Sequence, residues 1–189
     1  FYDYDAGEIL IDGKKLSDYT RESVRKHMAF VLQESFLFQG SIKDNIRYGR
    51  LDASDEEIVE AAKQANAHTF IENLPDGYDT ILSNSGSSLS QGQKQLLAIA
   101  RAMLAKPSIL ILDEATSNID TITELHIQEA LRRLMNGRTS FIIAHRLNTI
   151  READQILVLQ DGSIIENGTH SELVAKNGFY AELVKAGLE

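Results

Sequence analysis

The sequence contains no cysteine, and this absence excludes disulfide bonds, thiol nucleophiles and cysteine-ligated zinc from its chemistry. Basic residues are fewer than acidic ones, 19 Lys and Arg against 28 Asp and Glu, which gives a formal net charge of −9. Proteins that bind the phosphate backbone of nucleic acids need an excess of positive charge, so a nucleic-acid partner is not predicted. No apolar run approaches the ~18–20 residues that cross a bilayer, and the first residues lack a signal-peptide pattern.

The order of the secondary-structure signals predicts an α/β fold. The 189 residues, 43% of them hydrophobic, can form one globular domain or one domain with an inserted lobe. Strand patterns flank a middle segment of helical period, and the strand–helix–strand order beyond it predicts a mainly parallel sheet. We therefore predict an α/β core formed by residues 1–34 and 108–189, with an inserted α-helical subdomain at residues 35–107. Strands are expected at 7–13, 27–33, 108–112, 139–145, 154–160 and 163–167, and helices at 121–136, 170–176 and 178–187.

Two helix starts are marked by capping boxes, in which a serine and a residue three positions later satisfy each other's backbone amides. The first pair is Ser54 with Glu57, and the second is Ser90 with Gln93. Apolar residues at helical spacing follow each pair, and Pro107 ends the second helix because proline cannot continue one. The apolar residues at helical spacing are Ile58, Ala61, Ala62 and Ala65 on one face of the first helix, and Leu96, Leu97, Ile99, Ala100 and Leu104 on the second.

Two adjacent carboxylates, Asp113 and Glu114, end the apolar run ILIL at residues 109–112. Neighbouring anions at the end of a buried strand repel each other unless a cation, a shared proton or a chemical task compensates them. Ligands of open α/β sheets bind beyond the carboxyl ends of the strands, where an aspartate could hold Mg²⁺ and a glutamate could activate water. The pair could equally cap the next helix or form a surface pair.

The start of the second capped helix is a candidate anion site. A helix N-terminus carries partial positive charge, and Gly92 would let a ligand approach the backbone closely. An ordinary capped helix explains the same residues without a ligand. Gln33 and His145 also end predicted strands. The glutamine could reach a metal-bound water, and the imidazole could donate to a phosphate oxygen or shuttle a proton, although a lone histidine there is more often structural.

Taken together and in this order, these residues resemble the nucleotide-binding domain of an ATP-binding cassette (ABC) transporter. LSQGQ at residues 89–93 is similar to the family's signature motif, ILILDE at 109–114 to its Walker B strand, and SNID at 117–120 to its D-loop. AHR at 144–146 is similar to the switch-histidine motif and VLQ at 31–33 to the Q-loop. The stretches FLFQGSIKDNIRYG and ADQILVLQDGSIIENGTHSELVAKNGFYAELV resemble exporter-type cassettes.

The resemblance implies a P-loop NTPase-like ABC ATPase core, with ATP and Mg²⁺ as cofactors. Glu114 would activate the attacking water and His145 would attend the γ-phosphate, while Asp113 and Gln33 would attend the metal. In the family two cassettes close head to tail, so each signature helix serves the ATP that the other cassette holds. The residues expected at that second surface are Ser90, Gln91, Gly92 and Gln93, with Asp120 at the dimer contact.

The same resemblance implies the partners of the protein. One would be a second nucleotide-binding domain, identical or different, and the other would be the transmembrane domains that exporters usually carry upstream. Membrane contact would occur only through those domains, at the cytoplasmic face of the cell membrane. A soluble ABC ATPase of DNA repair or translation is a rival interpretation, which the acidic balance disfavours. Another rival is a non-catalytic module that donates its signature helix in trans.

The family's phosphate loop, GxxxxGK[ST], does not occur in this sequence. The Gly13–Lys14 pair has Glu8 where the first glycine of the loop should stand and Lys15 in place of serine or threonine. A phosphate loop supplies the lysine and backbone amides that hold the β- and γ-phosphates. The sequence therefore predicts a chain truncated at its N-terminus, which alone neither binds ATP tightly nor hydrolyses it.

Two further positions depart from the family pattern. Gln91 replaces the first of the two glycines in LSGGQ, and we expect this change to tune the site without abolishing it. Exporters usually carry TxVGExG upstream of the signature, where this chain has Ser83 for the glycine and Asn84 for the glutamate. Charge-based coupling to the membrane domains is therefore not expected at that point.

Overall fold

The computed structural model describes residues 4–32, 35–82, 86, 88–113, 119–144 and 147–187. The chain forms two compact units, one of residues 1–112 and 116–141 and the other of residues 113–115 and 142–189. The strands are β1 (Leu10–Ile11), β2 (Lys14–Lys15), β3 (Met28–Val31), β4 (Gly40–Ser41), β5 (Ile81–Leu82), β6 (Ile109–Asp113), β7 (Thr139–Ile143), β8 (Ile156–Gln160) and β9 (Ser163–Gly168). The helices are α1 (Arg21–Lys26), α2 (Ile42–Arg47), α3 (Asp55–Gln64), α4 (His68–Glu72), α5 (Gln91–Ala105), α6 (Thr121–Met135), α7 (Leu147–Arg151), α8 (His170–Lys176) and α9 (Phe179–Ala186).

The central sheet has the strand order β3-β6-β7, and β3 runs parallel to β6. Their register pairs Met28 with Ile109 and Val31 with Leu112. Val31 and Leu112 are buried, whereas Phe30 is 40% exposed, because successive side chains of a strand point to opposite faces of the sheet. The α/β class is confirmed, and the predicted parallel pairing is confirmed for β3 and β6.

Both predicted capping boxes are present. Ser54 Oγ accepts a hydrogen bond from the Glu57 amide at 3.3 Å, and the Glu57 carboxylate accepts one from the Ser54 amide at 3.1 Å. The box at Ser90 has the same arrangement with Gln93. Helix formation in both places therefore begins with local contacts that the sequence encodes. The apolar residues that the sequence places at helical spacing on α3 and α5 are all buried in the structure, including Ala65 just beyond α3.

Helix α5 is the centre of the first unit, because α2, α3 and α6 all pack against it. Ten of its fifteen residues are buried. The chain comes very close to α5 at Gly49, where a Cβ would overlap the carbonyl oxygen of Arg101. That oxygen belongs to the helix backbone, so only glycine fits at this position. No helix within the described ranges is both long and apolar enough to span a membrane.

Two predicted features of the strands differ from the structure. The strand predicted at residues 7–13 is reduced to Leu10–Ile11, which pairs antiparallel with Lys14–Lys15. A second short pair, β4 with β5, lies inside the segment whose period was helical. Strands of two residues are too short to show the period-two alternation on which a prediction from sequence depends.

In the second unit, β8 and β9 form the antiparallel hairpin that the sequence predicts. Its turn residues, Asp161 and Gly162, both have positive φ, 49° and 78°. Type I′ turns require this conformation at both central residues, which explains the Asp-Gly sequence. The buried core beside the hairpin consists of Ile156, Val158, Leu173 and Tyr180.

The half-buried hydroxyl of Tyr78 connects α4 to the 3-10 helix Gly77–Asp79. Its oxygen lies 2.8 Å from His68 Nδ1, and His68 Nε2 lies 3.2 Å from a carboxylate oxygen of Glu72. Burial, with a smaller contribution from the Glu72 carboxylate, raises the pKa of Tyr78 to about 12. Both effects disfavour the charged phenolate.

We expect Tyr78 to ionise later than an unfolded tyrosine in an alkaline titration followed by tyrosinate absorbance. The unfolded phenol has a pKa of about 10 and the folded one a pKa of about 12. The stability that Tyr78 contributes is therefore complete below the unfolded pKa and is lost as the pH rises toward the folded one. The titration of wild type minus that of Tyr78→Phe isolates this residue. A difference curve centred near the unfolded value would contradict the prediction.

Candidate functional site

The helix start at Ser90 is held by hydrogen bonds on both sides of its capping box. Ser90 Oγ accepts from the Gln93 amide at 3.2 Å, and the Ser90 amide donates to Gln93 Oε1 at 3.0 Å. In the cap, Ser90 Oγ and Gln93 Oε1 act as hydrogen-bond acceptors. The Ser90 hydroxyl proton and Gln93 Nε2 are donors, and either could bind an anion. A capped helix and an anion site are therefore compatible at this place.

Gly92 is buried because α6 lies directly against it. A Cβ at this position would overlap Thr123 Cγ2 and would stand 3.3 Å from Ile119 Cγ2. The sequence suggested that the glycine opens the backbone to a ligand, whereas the structure gives it a packing role between the first turns of α5 and α6. Close approach of a ligand to Gly92 stays a prediction.

Asp120 is the N-cap of α6. Its Oδ1 accepts a hydrogen bond from the Thr123 amide at 3.0 Å. The backbone and side-chain hydrogen bonds from Thr123 hold the pKa of Asp120 below its usual value, because they stabilise the charged carboxylate. The residue is exposed, so the capped carboxylate is accessible for the dimer contact, which remains a prediction.

The structure thus brings two of the predicted site segments together. Gly92 is in the first turn of α5 and Thr123 is in the first turn of α6. Their contact places the Ser90 helix start beside the helix start that Asp120 caps. Sequence reasoning identified both segments but not their contact, because nothing in the local pattern pairs residue 92 with residue 123.

Asp113 is the last residue of β6 and is half-buried, so it lies at the carboxyl end of its strand as predicted. Its carboxylate is the hard oxygen donor that Mg²⁺ prefers. The other predicted residues of the catalytic and metal site, Gln33, Glu114 and His145, lie outside the described residues. Among the described residues there is no group of three or more His, Asp or Glu side chains that could hold a metal ion.

Sequence reasoning missed Arg101, which anchors an aromatic surface on the first unit. Arg101 Nε donates to the Asn45 carbonyl oxygen at 2.9 Å, and Nη1 donates to the Phe36 carbonyl oxygen at 3.1 Å. Its guanidinium also lies over the rings of Phe38 and Tyr48, 5.1 and 5.6 Å from their centroids. Burial lowers the pKa of Arg101, a cost that these contacts offset. A charged residue among the apolar residues of the second half of α5 was the signal in the sequence.

The Arg101 cluster leaves two aromatic rings in solvent. Phe36 is 63% exposed and Tyr48 is 58% exposed. An exposed apolar patch that is held rigidly from beneath is typical of a protein-interaction surface. We call this pair of side chains the aromatic surface.

Comparisons with known proteins agree with the motif-based interpretation. A sequence model of the family described as ABC transporter matches residues 1–117. The protein named "Uncharacterized ABC transporter ATP-binding protein YfiC" of Bacillus subtilis is 65% identical over 100% of this chain and 31% of its own length. The fatty acid ABC transporter ATP-binding/permease protein of Mycobacterium bovis is 53% identical over 98% of this chain and 30% of that protein. The ATP-dependent lipid A-core flippase of Syntrophus aciditrophicus is 52% identical over 97% of this chain and 30% of that protein.

A solved structure gives the same result for the fold. The structure of a bacterial Atm1-family ABC exporter with ATP bound matches this chain with a TM-score of 0.89 and 45% sequence identity. The match covers 98% of this chain and 32% of that one. The predicted fold class is therefore confirmed. The chain spans about a third of the length of these relatives, and the roles of the individual site residues stay predictions.

Proposed function

Because this chain belongs to the ABC transporter family, we propose that it is the ATP-binding module of an exporter-type transporter, in which ATP hydrolysis drives transport. The observation that carries the proposal is the helix start at Ser90. It is capped, lies against the start of α6 through Gly92, and presents the partial positive charge of a fifteen-residue helix. A triphosphate is the kind of anion that such a helix start binds.

The helix start serves a second cassette in this proposal. Two cassettes, identical or different, close head to tail, and each ATP then lies between the metal site of one and the signature helix of the other. Ser90 and Gln93 donate hydrogen bonds to the partner's ATP, and Asp120 contacts the partner at the edge of the same surface. ATP binding thereby favours the closed dimer, and hydrolysis reopens it.

The remaining predicted site residues carry the chemistry in this proposal. Asp113 and Gln33 would hold Mg²⁺, which when bound neutralises charge on the phosphate oxygens. Glu114 accepts a proton from the attacking water, and His145 donates a hydrogen bond to the γ-phosphate. The carboxylate of Asp113 is of the chemical type that this ion requires.

The transmembrane domains are the second proposed partner, and the aromatic surface is the contact that we assign to them. Phe36 and Tyr48 are exposed, the Phe36 ring packs edge-on against Phe38, and the Tyr48 ring lies under the Arg101 guanidinium. Aromatic side chains are favourable anchors at protein interfaces. This contact would place the module at the cytoplasmic face of the cell membrane.

The test of the proposed function compares this 189-residue chain with a longer polypeptide that includes upstream sequence bearing a phosphate loop. We expect the longer polypeptide to release phosphate from ATP and the chain alone to release none above a Glu114→Gln control, because GxxxxGK[ST] is missing from the chain. Lack of hydrolysis by the longer polypeptide would refute the enzymatic proposal. Rapid phosphate release by the chain alone would refute the need for the loop.

A non-catalytic role is the alternative, since the capped α5 start is complete although the phosphate loop is absent. In that case the chain would donate its signature helix to a cassette that holds ATP by itself. ATP affinity measured for such a cassette, with and without this chain, separates the two functions. An increase in affinity without turnover in the longer polypeptide would favour the alternative.

A further inference from the structure

A buried glutamine near the start of α5 has a side-chain oxygen without a hydrogen-bond donor. This residue, Gln95, lies in the first half of the helix and is 2% exposed. Its Oε1 is shielded from solvent and accepts no hydrogen bond within the described ranges. A buried acceptor of this kind destabilises a fold, because it gives up a hydrogen bond to water without gaining another. Its presence in a native protein therefore needs a physical explanation.

A second buried amide, that of Asn45, shows the usual arrangement in the same unit. Asn45 is also 2% exposed, and both ends of its side chain are hydrogen-bonded. Its Oδ1 accepts from the Phe38 amide at 2.8 Å, and its Nδ2 donates to the carbonyl oxygens of Phe38 and Ser41, each at 3.0 Å. The other described side-chain atoms that are buried without a partner belong to residues that are themselves partly exposed. Gln95 thus combines full burial of the residue with an unpaired oxygen.

Gln95 lies directly behind the candidate anion site. It follows Gly92 by three residues, so the two residues lie on the same side of α5. On that side, a Cβ at Gly92 would meet Thr123 in the first turn of α6. The capping box of Ser90 and Gln93 forms the helix start just before Gln95. A ligand or partner that shifts this helix start would therefore change the surroundings of the unpaired oxygen.

An apolar side chain would suit position 95 better in the arrangement that the structure shows. Methionine has nearly the size and flexibility of glutamine, and it carries no amide oxygen that needs a donor. Replacement of an unpaired buried polar group by an apolar group of similar shape is neutral or stabilising. The amide at position 95 therefore lowers stability in this arrangement. Groups that lower stability in this way are typical of functional sites, where a second arrangement uses them.

We propose that Gln95 is a positioning residue for ATP-driven closure, because its Oε1 gains a donor when the start of α5 binds the ATP of the second cassette. The donor is an N–H or O–H group of the same cassette, since Oε1 is closed off from the surface. A hydrogen bond that forms only in the closed dimer makes closure more favourable. The inference rests on the proposed function, which assigns the Ser90 helix start to that ATP.

Thermal unfolding of the longer polypeptide with and without Mg²⁺–ATP tests this inference. All samples carry Glu114→Gln, which is expected to slow ATP turnover. A ligand that binds only the folded protein raises the melting temperature by an amount that grows with its affinity. In Gln95→Met we expect the melting temperature without ATP to rise by roughly 2 °C. We expect the apparent affinity for ATP to fall roughly 3–10-fold, because the hydrogen bond of the closed dimer is lost.

Two further substitutions serve as matched controls. Gln64→Met makes the same chemical change at an exposed position of α3, and it should alter neither the melting temperature nor the affinity for ATP. Asn45→Leu removes a buried amide whose hydrogen bonds are made, so it should lower the melting temperature by a similar amount with and without ATP. Gln95→Leu repeats the test with a second apolar side chain, in case methionine does not pack well.

The outcomes separate this inference from the proposed function. A Gln95→Met variant that is less stable without ATP, or that binds ATP as tightly as before, would overturn the inference. The function would stand in that case if the unsubstituted longer polypeptide hydrolyses ATP. If that polypeptide neither binds nor hydrolyses ATP, the proposed function is refuted and the inference fails with it. Higher stability without ATP, combined with weaker ATP binding, is the result that supports the role of Gln95.

Discussion

Replacing Glu114 by glutamine in the longer polypeptide is expected to lower ATP turnover by roughly 10²–10⁴-fold, because a positioned general base contributes about this factor. Glutamine has nearly the same shape but cannot accept a proton from the attacking water. ATP binding does not require that proton transfer, so the affinity for ATP should stay close to that of the unsubstituted longer polypeptide, which we call the parent protein. The closed dimer should then accumulate in ATP, since hydrolysis is the step that reopens it.

Phosphate release, equilibrium ATP binding and dimer closure are measured on the same preparations. The matched control is Glu22→Gln, a change of the same type in an exposed ion pair between Glu22 and Lys26 on α1. Such a surface ion pair contributes little to the stability of the fold, so ATP turnover should be unchanged in this control. Equal turnover in Glu114→Gln and in the unsubstituted longer polypeptide would refute the role assigned to Glu114.

A methyl group added at Gly92 is expected to destabilise the fold by about 1–3 kcal/mol, the usual cost of overpacking. The new Cβ would overlap Thr123 Cγ2, and the starts of α5 and α6 would be forced apart. Thr123→Ser removes that methyl group but keeps a hydroxyl and the backbone amide that Asp120 binds. The double variant Gly92→Ala with Thr123→Ser should therefore recover most of the lost stability.

Thermal unfolding of the parent, the two single variants and the double variant forms a double-mutant cycle. A large favourable coupling between the two substitutions is the expected result. Additive effects would show that the contact with Thr123 does not determine the need for glycine. Unchanged stability with lost ATP-driven closure would instead favour the other explanation, in which Gly92 leaves room for a ligand.

Local signals predicted a large part of the fold. Ser54 and Ser90 cap their helices through residues three positions later, and the Asp161–Gly162 turn joins adjacent strands. The apolar spacing that follows Ser90 identified the buried face of α5. Each of these features depends on residues within a few positions of each other, so both partners of each contact can be identified in a short stretch of sequence.

The order of the five motifs along the chain was sufficient to predict the family. The candidate site residues were then predicted one by one from their positions in those motifs. The succession of VLQ, LSQGQ, ILILDE, SNID and AHR gave the resemblance that the comparisons support. The structure places Asp113 at the end of its strand and Asp120 at a helix start. The roles of Gln33, Glu114 and His145 rest on the motifs, and the Glu114→Gln experiment tests the second of them.

The amino-acid sequence by itself determined the helix caps, the turn, the α/β class and the identity of the motifs, because these depend on short spacings and side-chain chemistry. Only the tertiary structure decided that Gly92 packs on Thr123 and that Arg133 binds Asn66. Those pairs are separated by 31 and 67 residues along the chain, and no periodicity connects them. Their contacts arise when whole helices pack against α5, a process in which distant side chains meet by shape and charge.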